Sequence, residues 1–250
     1  MLGYSRLTSY RMQLTADDYA RAAVDFHSRL AGTWEDRYRR AGFRERFRVL
    51  SECLENTNIG NQQWVDAGCG SGTLSRYLTE RGAEVLGVDA SAEMVRTAIW
   101  SLERSGRHVE FRQIESIADL PIPDSSLDGI LCSSVLEYVP DIHACLAEFE
   151  RVLTPGGRLL VSVPNRVSIV RRGQVSAYRV AQAMGRKWFP FVEHSRHEFS
   201  SHVFRDILDQ FRFTTSKVIP FGSPIPRWLQ RREFAGSLLM FSAVRRCATL

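Results

Sequence analysis

The chain has 250 residues, 44% of them apolar and 24% charged, with a formal net charge of +5. That length and apolar content support one large domain, or one domain with an added cap, around a substantial core. The charge excess, with a sequence pI near 9.1, is too small to mark a nucleic-acid surface by itself, and the reading disfavours a nucleic-acid partner. Five cysteines (Cys53, Cys69, Cys132, Cys145 and Cys247) show no CxxC pair and no metal-ligand spacing. They suggest neither a disulfide framework nor a metal site, and they point to a reducing, cytoplasmic setting. The N-terminus lacks a secretory apolar core, and no apolar run approaches membrane-spanning length.

Residues 1 to about 14 carry no clear period and read as loose or lid-like. At Thr15 a cap with acids in the first turn opens a helix on which Tyr19, Ala22, Ala23, Phe26 and Leu30 recur at helical spacing. A second helix is predicted from Phe43 to Leu54, and turn residues at 56–61 end this N-terminal appendage. A repeating strand–helix rhythm follows. Strands are predicted at Trp64-Val65, 84–88, 109–113, 127–132 and 158–163. Helices are predicted at 74–81, from the Ser91 cap to about 104, and from 142 to a stop at Pro155-Gly156-Gly157. This alternation implies a doubly wound parallel sheet with right-handed crossovers. After Asn165 the rhythm breaks into a basic, aromatic insertion over about 165–199. It resumes with a helix at 201–210 and strands at 213–219 and 237–244. A proline-rich turn without a helix joins the last two strands, which predicts a hairpin with an antiparallel last strand. The division is therefore 1–60 as a helical lid and 61–250 as the main domain with its inserted cap.

The stretch WVDAGCGSG reads as a strand end, an acid and a glycine turn opening a helix. Gly68, Gly70 and Gly72 let the backbone turn tightly and let a ligand approach the main chain. Open α/β sheets bind small molecules at that place. Asp89 closes the second strand, where an acid can bind ribose hydroxyls. Asp66 stands inside the turn, where it would repel a pyrophosphate and would suit a ligand with an ammonium group. S-adenosylmethionine has ribose hydroxyls, an α-ammonium and no phosphate.

The motifs VDAGCGSG, GVDASAEM, LPIPDSSLDGILCSSVLEYV and LTPGGRLLVSVPN, spread over roughly 62–165, resemble class I S-adenosylmethionine-dependent methyltransferases of the small-molecule type. The resemblance implies a seven-stranded, mostly parallel sheet with an antiparallel last strand. It implies that Asp66 and the backbone at Gly68, Cys69 and Gly70 hold the methionine part, and that Asp89 binds the ribose. Ala90 and Met94 would pack by the adenine, although Met94 at helical spacing also reads as a core residue. Glu115, Ser116 and Ile117 would meet the adenine edge, with Ser116 where the family often has an aspartate. Cys132 and Ser133 would stand where the methyl end meets the acceptor, and Trp34 and Tyr38 would close over the cofactor. Glu137 and Tyr138 follow the fourth strand as candidate substrate contacts, or only cap and pack. Arg44, Arg46 and Arg48 are candidates to pair with the cofactor carboxylate.

Methyl transfer from a sulfonium needs in-line alignment, and a base helps a hydroxyl acceptor. Of His143, His194, His197 and His202, the two in the insertion, His194 and His197, are the candidate bases. The leading function is methyl transfer to a small-molecule acceptor, most readily an oxygen, with no metal expected. The alternatives are an RNA or protein methyltransferase, and a cofactor-binding protein without transferase activity.

Overall fold

The computed structural model describes residues 15–103, 109–222 and 226–247, so the reading of residues 1–14 lies outside the described residues. Seven strands form one sheet: β1 (Gln63–Ala67), β2 (Glu84–Asp89), β3 (Glu110–Gln113), β4 (Leu127–Ser133), β5 (Leu153–Pro164), β6 (Phe213–Phe221) and β7 (Leu238–Arg245). Their order is β3-β2-β1-β4-β5-β7-β6. The pairs among β1 to β5 are parallel, and β7 runs antiparallel to both β5 and β6. The strand order reverses at β1 and β4, which opens a crevice beyond their carboxyl ends.

Alternation along each strand assigns side chains to two faces. On one face Val65, Ile130, Cys132, Leu159 and Val161 pack with Phe149 of α6 (Ile142–Val152) and Phe204 of α8 (Ser201–Gln210). On the other, Trp64, Val85, Leu131 and Leu160 pack with Leu50 of α3 (Ala41–Cys53) and Leu78 of α4 (Thr73–Thr79). The helix α5 (Ala92–Glu103) starts at the Ser91 cap, whose Oγ accepts from the Met94 N–H at 3.1 Å.

The N-terminal helices lie over the crevice. The capping box expected at Thr15 is present: Thr15 Oγ1 accepts from the Asp18 N–H, and the Asp18 carboxylate accepts from the Thr15 N–H, opening α1 (Ala16–Ser28). A short helix, α2 (Ala31–Trp34), and a 3₁₀ turn over Glu35–Arg39 follow, neither foreseen in the sequence. Glu35 accepts from Arg76 of α4 at 2.5 Å and from Ser101 of α5 at 2.8 Å, which fixes this segment on the sheet's helices.

Three expectations are corrected. β5 begins at Leu153 rather than 158, because Leu153 already pairs with Leu127 and the Pro155-Gly156-Gly157 turn is absorbed as an irregularity in that ladder. The insertion holds a 15-residue helix, α7 (Ile169–Ala183), where the sequence shows only a broken rhythm. A short helix, α9 (Arg227–Gln230), stands between β6 and β7 where none was expected. The two strands still pair as the predicted hairpin.

Candidate active site

A cavity of about 510 Å³ opens at the carboxyl ends of β1, β2 and β4, covered by α1, the 3₁₀ turn and α7. Its floor is the glycine turn. Gly68 and Gly70 have φ of 79° and 54°, which L side chains rarely adopt. A Cβ on Gly68 would meet Val135 Cγ2 at 2.3 Å. A Cβ on Gly70 would come within 3.2 Å of Trp34 Nε1, so Trp34 sits directly over the turn.

Two carboxylates, the half-buried Asp89 and the buried Asp66, face this floor. Asp89 accepts from the Gly70 N–H through one oxygen and from the Ser91 N–H through the other, both at 2.8 Å. Burial raises its pKa, and the same N–H groups oppose the rise. The carboxylate keeps acceptor capacity for a ligand hydroxyl. Asp66 is 2% exposed and accepts from Ser75 Oγ at 2.6 Å. Burial pushes its pKa up to about 7; the Ser75 hydroxyl works against that and the nearby Asp89 charge adds to it.

Arg46 lines the cavity with Arg37, Arg40 and Arg171. It is 9% exposed, stacks over Phe43 and donates to Ser134 Oγ at 3.0 Å. It lines the cavity and forms no ion pair among the described residues. Of its two sequence rivals, Arg48 is tied to Glu45 and Glu52, and Arg44 is exposed. Ser133 Oγ, also on the cavity wall, is buried without a hydrogen-bond partner among the described residues.

Across the cavity, Arg171 of α7 is 3% exposed and donates to Glu198 and Ser195, both at 2.7 Å. Ser195 donates in turn to Glu137 at 3.1 Å. Burial raises the Glu137 pKa against the opposing pull of Arg171 and Ser195. This network fixes the cap to the loop after β4.

Most of the expected site residues meet in this one cavity. Asp66, Gly68, Cys69, Gly70, Asp89, Ala90, Met94, Glu115, Ser116, Ile117 and Ser133 line it, as do Trp34, Tyr38, Glu137 and Tyr138. Three do not. Cys132 is fully buried in the core on the α6 face, because it alternates with Ser133 along β4. His197 points its Nε2 at the Val139 carbonyl and stacks on Phe199. His194 packs behind the cavity against Phe26, with ring centroids 4.8 Å apart. The histidine that does line the cavity is His27 of α1, which sequence reasoning missed. Its neighbour Phe26 lies on the periodic apolar face, but only the tertiary fold shows that the ring faces a cleft.

The set fits an adenosyl amino acid. Asp89 is placed for hydroxyls, Met94 and Ile117 for a flat base, Asp66 for an ammonium and Arg46 for a carboxylate. No group of three or more potential metal ligands occurs among the described residues.

The seven-stranded fold, with its cavity at the crevice, is similar to that of class I S-adenosylmethionine-dependent methyltransferases. Residues 65–161 match the family model described as a methyltransferase domain. The chain is 30% identical over 148 residues to a ubiquinone biosynthesis O-methyltransferase of Methylococcus capsulatus, covering 59% of this chain and 60% of that protein. It is 36% identical over 151 residues to the protein of the same name from Idiomarina loihiensis, covering 58% and 59%. The matched region thus spans about three-fifths of these relatives' length. Among solved structures, a possible histamine N-methyltransferase from Thermotoga maritima aligns with a TM-score of 0.65 at 20% identity, covering 90% of this chain and 100% of that one. Magnesium protoporphyrin IX methyltransferase from Synechocystis, solved with bound S-adenosylhomocysteine, aligns at 0.63 and 19%, covering 91% and 100%. At these identities the likeness is one of fold.

Proposed function

We propose that the chain transfers a methyl group from S-adenosylmethionine to an oxygen of a small-molecule acceptor. The observation that carries this reading is a single cavity with two different ends. One end is polar and nucleoside-shaped around Asp89, Asp66 and the glycine turn. The other is closed by Phe26, His27, Tyr138 and Phe191. The relatives named as ubiquinone biosynthesis O-methyltransferases support oxygen as the accepting atom.

The bound cofactor supplies a methyl group already activated on a sulfonium. The chain's own work is then binding, alignment and exclusion of water. Asp89, held by two backbone N–H groups, offers fixed acceptors to ribose hydroxyls. Met94 and Ile117 give the adenine an apolar slot. Asp66 and Arg46 take the ammonium and carboxylate, which orients the sulfur towards Ser133 and the acceptor end. Trp34 and Tyr38, carried on the N-terminal segment, cover the turn. We assign α1 to α3 as a lid, the remainder from residue 61 as the catalytic domain, and 165–199 as its cap.

An RNA groove built on the cap's arginines is the weaker reading. Arg171 is consumed by Glu198 and Ser195 inside the protein, and a cleft covered by α1 and α7 suits a compact acceptor. No helix among the described residues is long and apolar enough to cross a membrane. Cytoplasmic residence is proposed on the five free cysteines.

The test is incubation with methyl-labelled S-adenosylmethionine and a panel of hydroxyl acceptors, scored by label in the acceptor and by formation of S-adenosylhomocysteine. Labelled ether product supports the reading. Tight S-adenosylhomocysteine binding with no transfer to any acceptor overturns it in favour of a cofactor-binding protein. Transfer to RNA alone overturns it in favour of the groove.

A further inference from the structure

We propose that His27 is the general base of this enzyme: its Nε2 takes the hydroxyl proton of an acidic acceptor, a phenol or an enol. The proposal rests on the oxygen-methylation reading above.

The tautomer follows from geometry. His27 Nδ1 lies 2.7 Å from the carbonyl oxygen of Ala23, one turn earlier in α1. A carbonyl can only accept, so Nδ1 carries the hydrogen and the lone pair is left on Nε2. Nε2 makes no hydrogen bond with any described residue, and the ring lines the cavity. The imidazole is wedged between Trp34 and Tyr138, with ring centroids at 5.3 and 4.7 Å. Trp34 itself covers Gly70, so the base stands one aromatic ring away from the turn assigned to the methyl donor. Its helix is anchored there as well, because Ser28 Oγ lies 2.7 Å from Ser91 Oγ, beside Asp89.

The surroundings keep this ring neutral. Burial, the Arg37 guanidinium on the 3₁₀ turn and His194 on the cap all disfavour a positive charge, against the Ala23 carbonyl, and the pKa is pushed down to about 4. The phenol of Tyr138, on the loop after β4, is held well above its usual range and stays neutral. The carboxylates of the cavity, Asp66, Asp89, Glu115 and Glu137, make no hydrogen bond or ion pair with the ring. A base held neutral in this way is available throughout the physiological range. Its modest basicity matches an acidic hydroxyl better than an aliphatic alcohol.

The step balances. The acceptor oxygen forms a bond to the methyl carbon while its O–H bond breaks and the proton passes to Nε2. The C–S bond breaks with its electron pair going to sulfur, so the sulfonium charge ends as imidazolium, which then loses its proton to water.

The test uses the full chain, methyl-labelled S-adenosylmethionine and catechol, comparing wild type with His27→Phe, which retains ring packing. Calorimetric titration with S-adenosylhomocysteine establishes that the variant is folded and loaded. The expected result is a wild-type kcat flat from pH 6 to 8 and a variant kcat lower by about 10²- to 10⁴-fold at pH 7. The variant rate should rise with pH as the free phenol ionises, with little change in the KM for catechol. Nitrogen-15 spectroscopy of the ligand-free protein at pH 7 should find His27 neutral with hydrogen on Nδ1. A variant with wild-type kcat and a flat profile overturns the role of His27 and leaves oxygen methylation standing. An imidazolium, or hydrogen on Nε2, also overturns it whatever the turnover. A wild type that binds S-adenosylhomocysteine and methylates no acceptor of the hydroxyl panel, catechol included, removes the oxygen-methylation reading and the base with it.

Discussion

Asp66 ties the cofactor reading to a measurable proton. Its carboxyl is buried and its pKa stands at about 7 in the free protein. If a ligand ammonium docks against it, the ionised form is favoured and binding expels the proton. For a group with that pKa, about 0.9 proton should leave per ligand at pH 6 and about 0.5 at pH 7. The same linkage makes S-adenosylhomocysteine affinity rise close to tenfold between pH 5 and pH 6, about 1.4 kcal/mol, and level off above pH 7. Calorimetric titration at pH 6 in two buffers of different ionisation enthalpy reads the released protons directly. Asp66→Asn should abolish most of the release and flatten the affinity profile, with weaker binding at pH 7. A wild type that releases no proton, or a variant with the same release as wild type, would refute the placement of the ammonium at Asp66.

Asp89→Ala removes the acceptor of the Gly70 and Ser91 N–H groups together with the proposed ribose contact. S-adenosylhomocysteine affinity should fall more than about tenfold, on the scale of lost charge-assisted hydrogen bonds; an unchanged calorimetric affinity would count against the site. Arg171→Met strands Glu137 and Glu198 in the cap network and should cost about 3 to 5 kcal/mol in urea unfolding, as removal of one partner of a buried pair does; a loss under 1 kcal/mol would mean the network is water-filled. His27 sets an acid limit. Its folded pKa of about 4 lies below the unfolded 6.5, so the unfolded chain binds more protons in that window. The stability is fully present above pH 6.5 and is lost as pH falls towards 4, by up to about 3 kcal/mol. His27→Phe should remove that segment of the pH–stability curve, and an unchanged curve would show that the ring is solvated.

The strand–helix rhythm and the glycine turn were legible because their signals are local. Short apolar runs leading to Asp66 and Asp89 depend on neighbours within a few residues; β2 and β4 appear within a residue of the expected bounds, and β1 runs two residues further than expected. The Thr15 capping box is local in the same way. What stayed hidden depends on tertiary packing. Cys132 and Ser133 are adjacent, and nothing in the sequence says which of the two faces the cleft. Ser133 lines it and Cys132 lies in the core. The helix α7 is obscured by paired arginines, of which Arg171 turns inward only because Glu198 and Glu137 wait for it. The insertion that carries His194 and His197 roofs the sheet's carboxyl end. The N-terminal helix also roofs it, and His27 is the histidine it brings to the cavity.

A crystal structure with S-adenosylhomocysteine tests the central claim most directly. The account predicts the ligand in the cavity under Trp34, its ribose hydroxyls on Asp89, its adenine between Met94 and Ile117, and its amino-acid end between Asp66 and Arg46. The thioether sulfur should then face the end of the cavity that holds His27. Ligand bound outside this cavity, or in it with the ribose away from Asp89, would contradict the account.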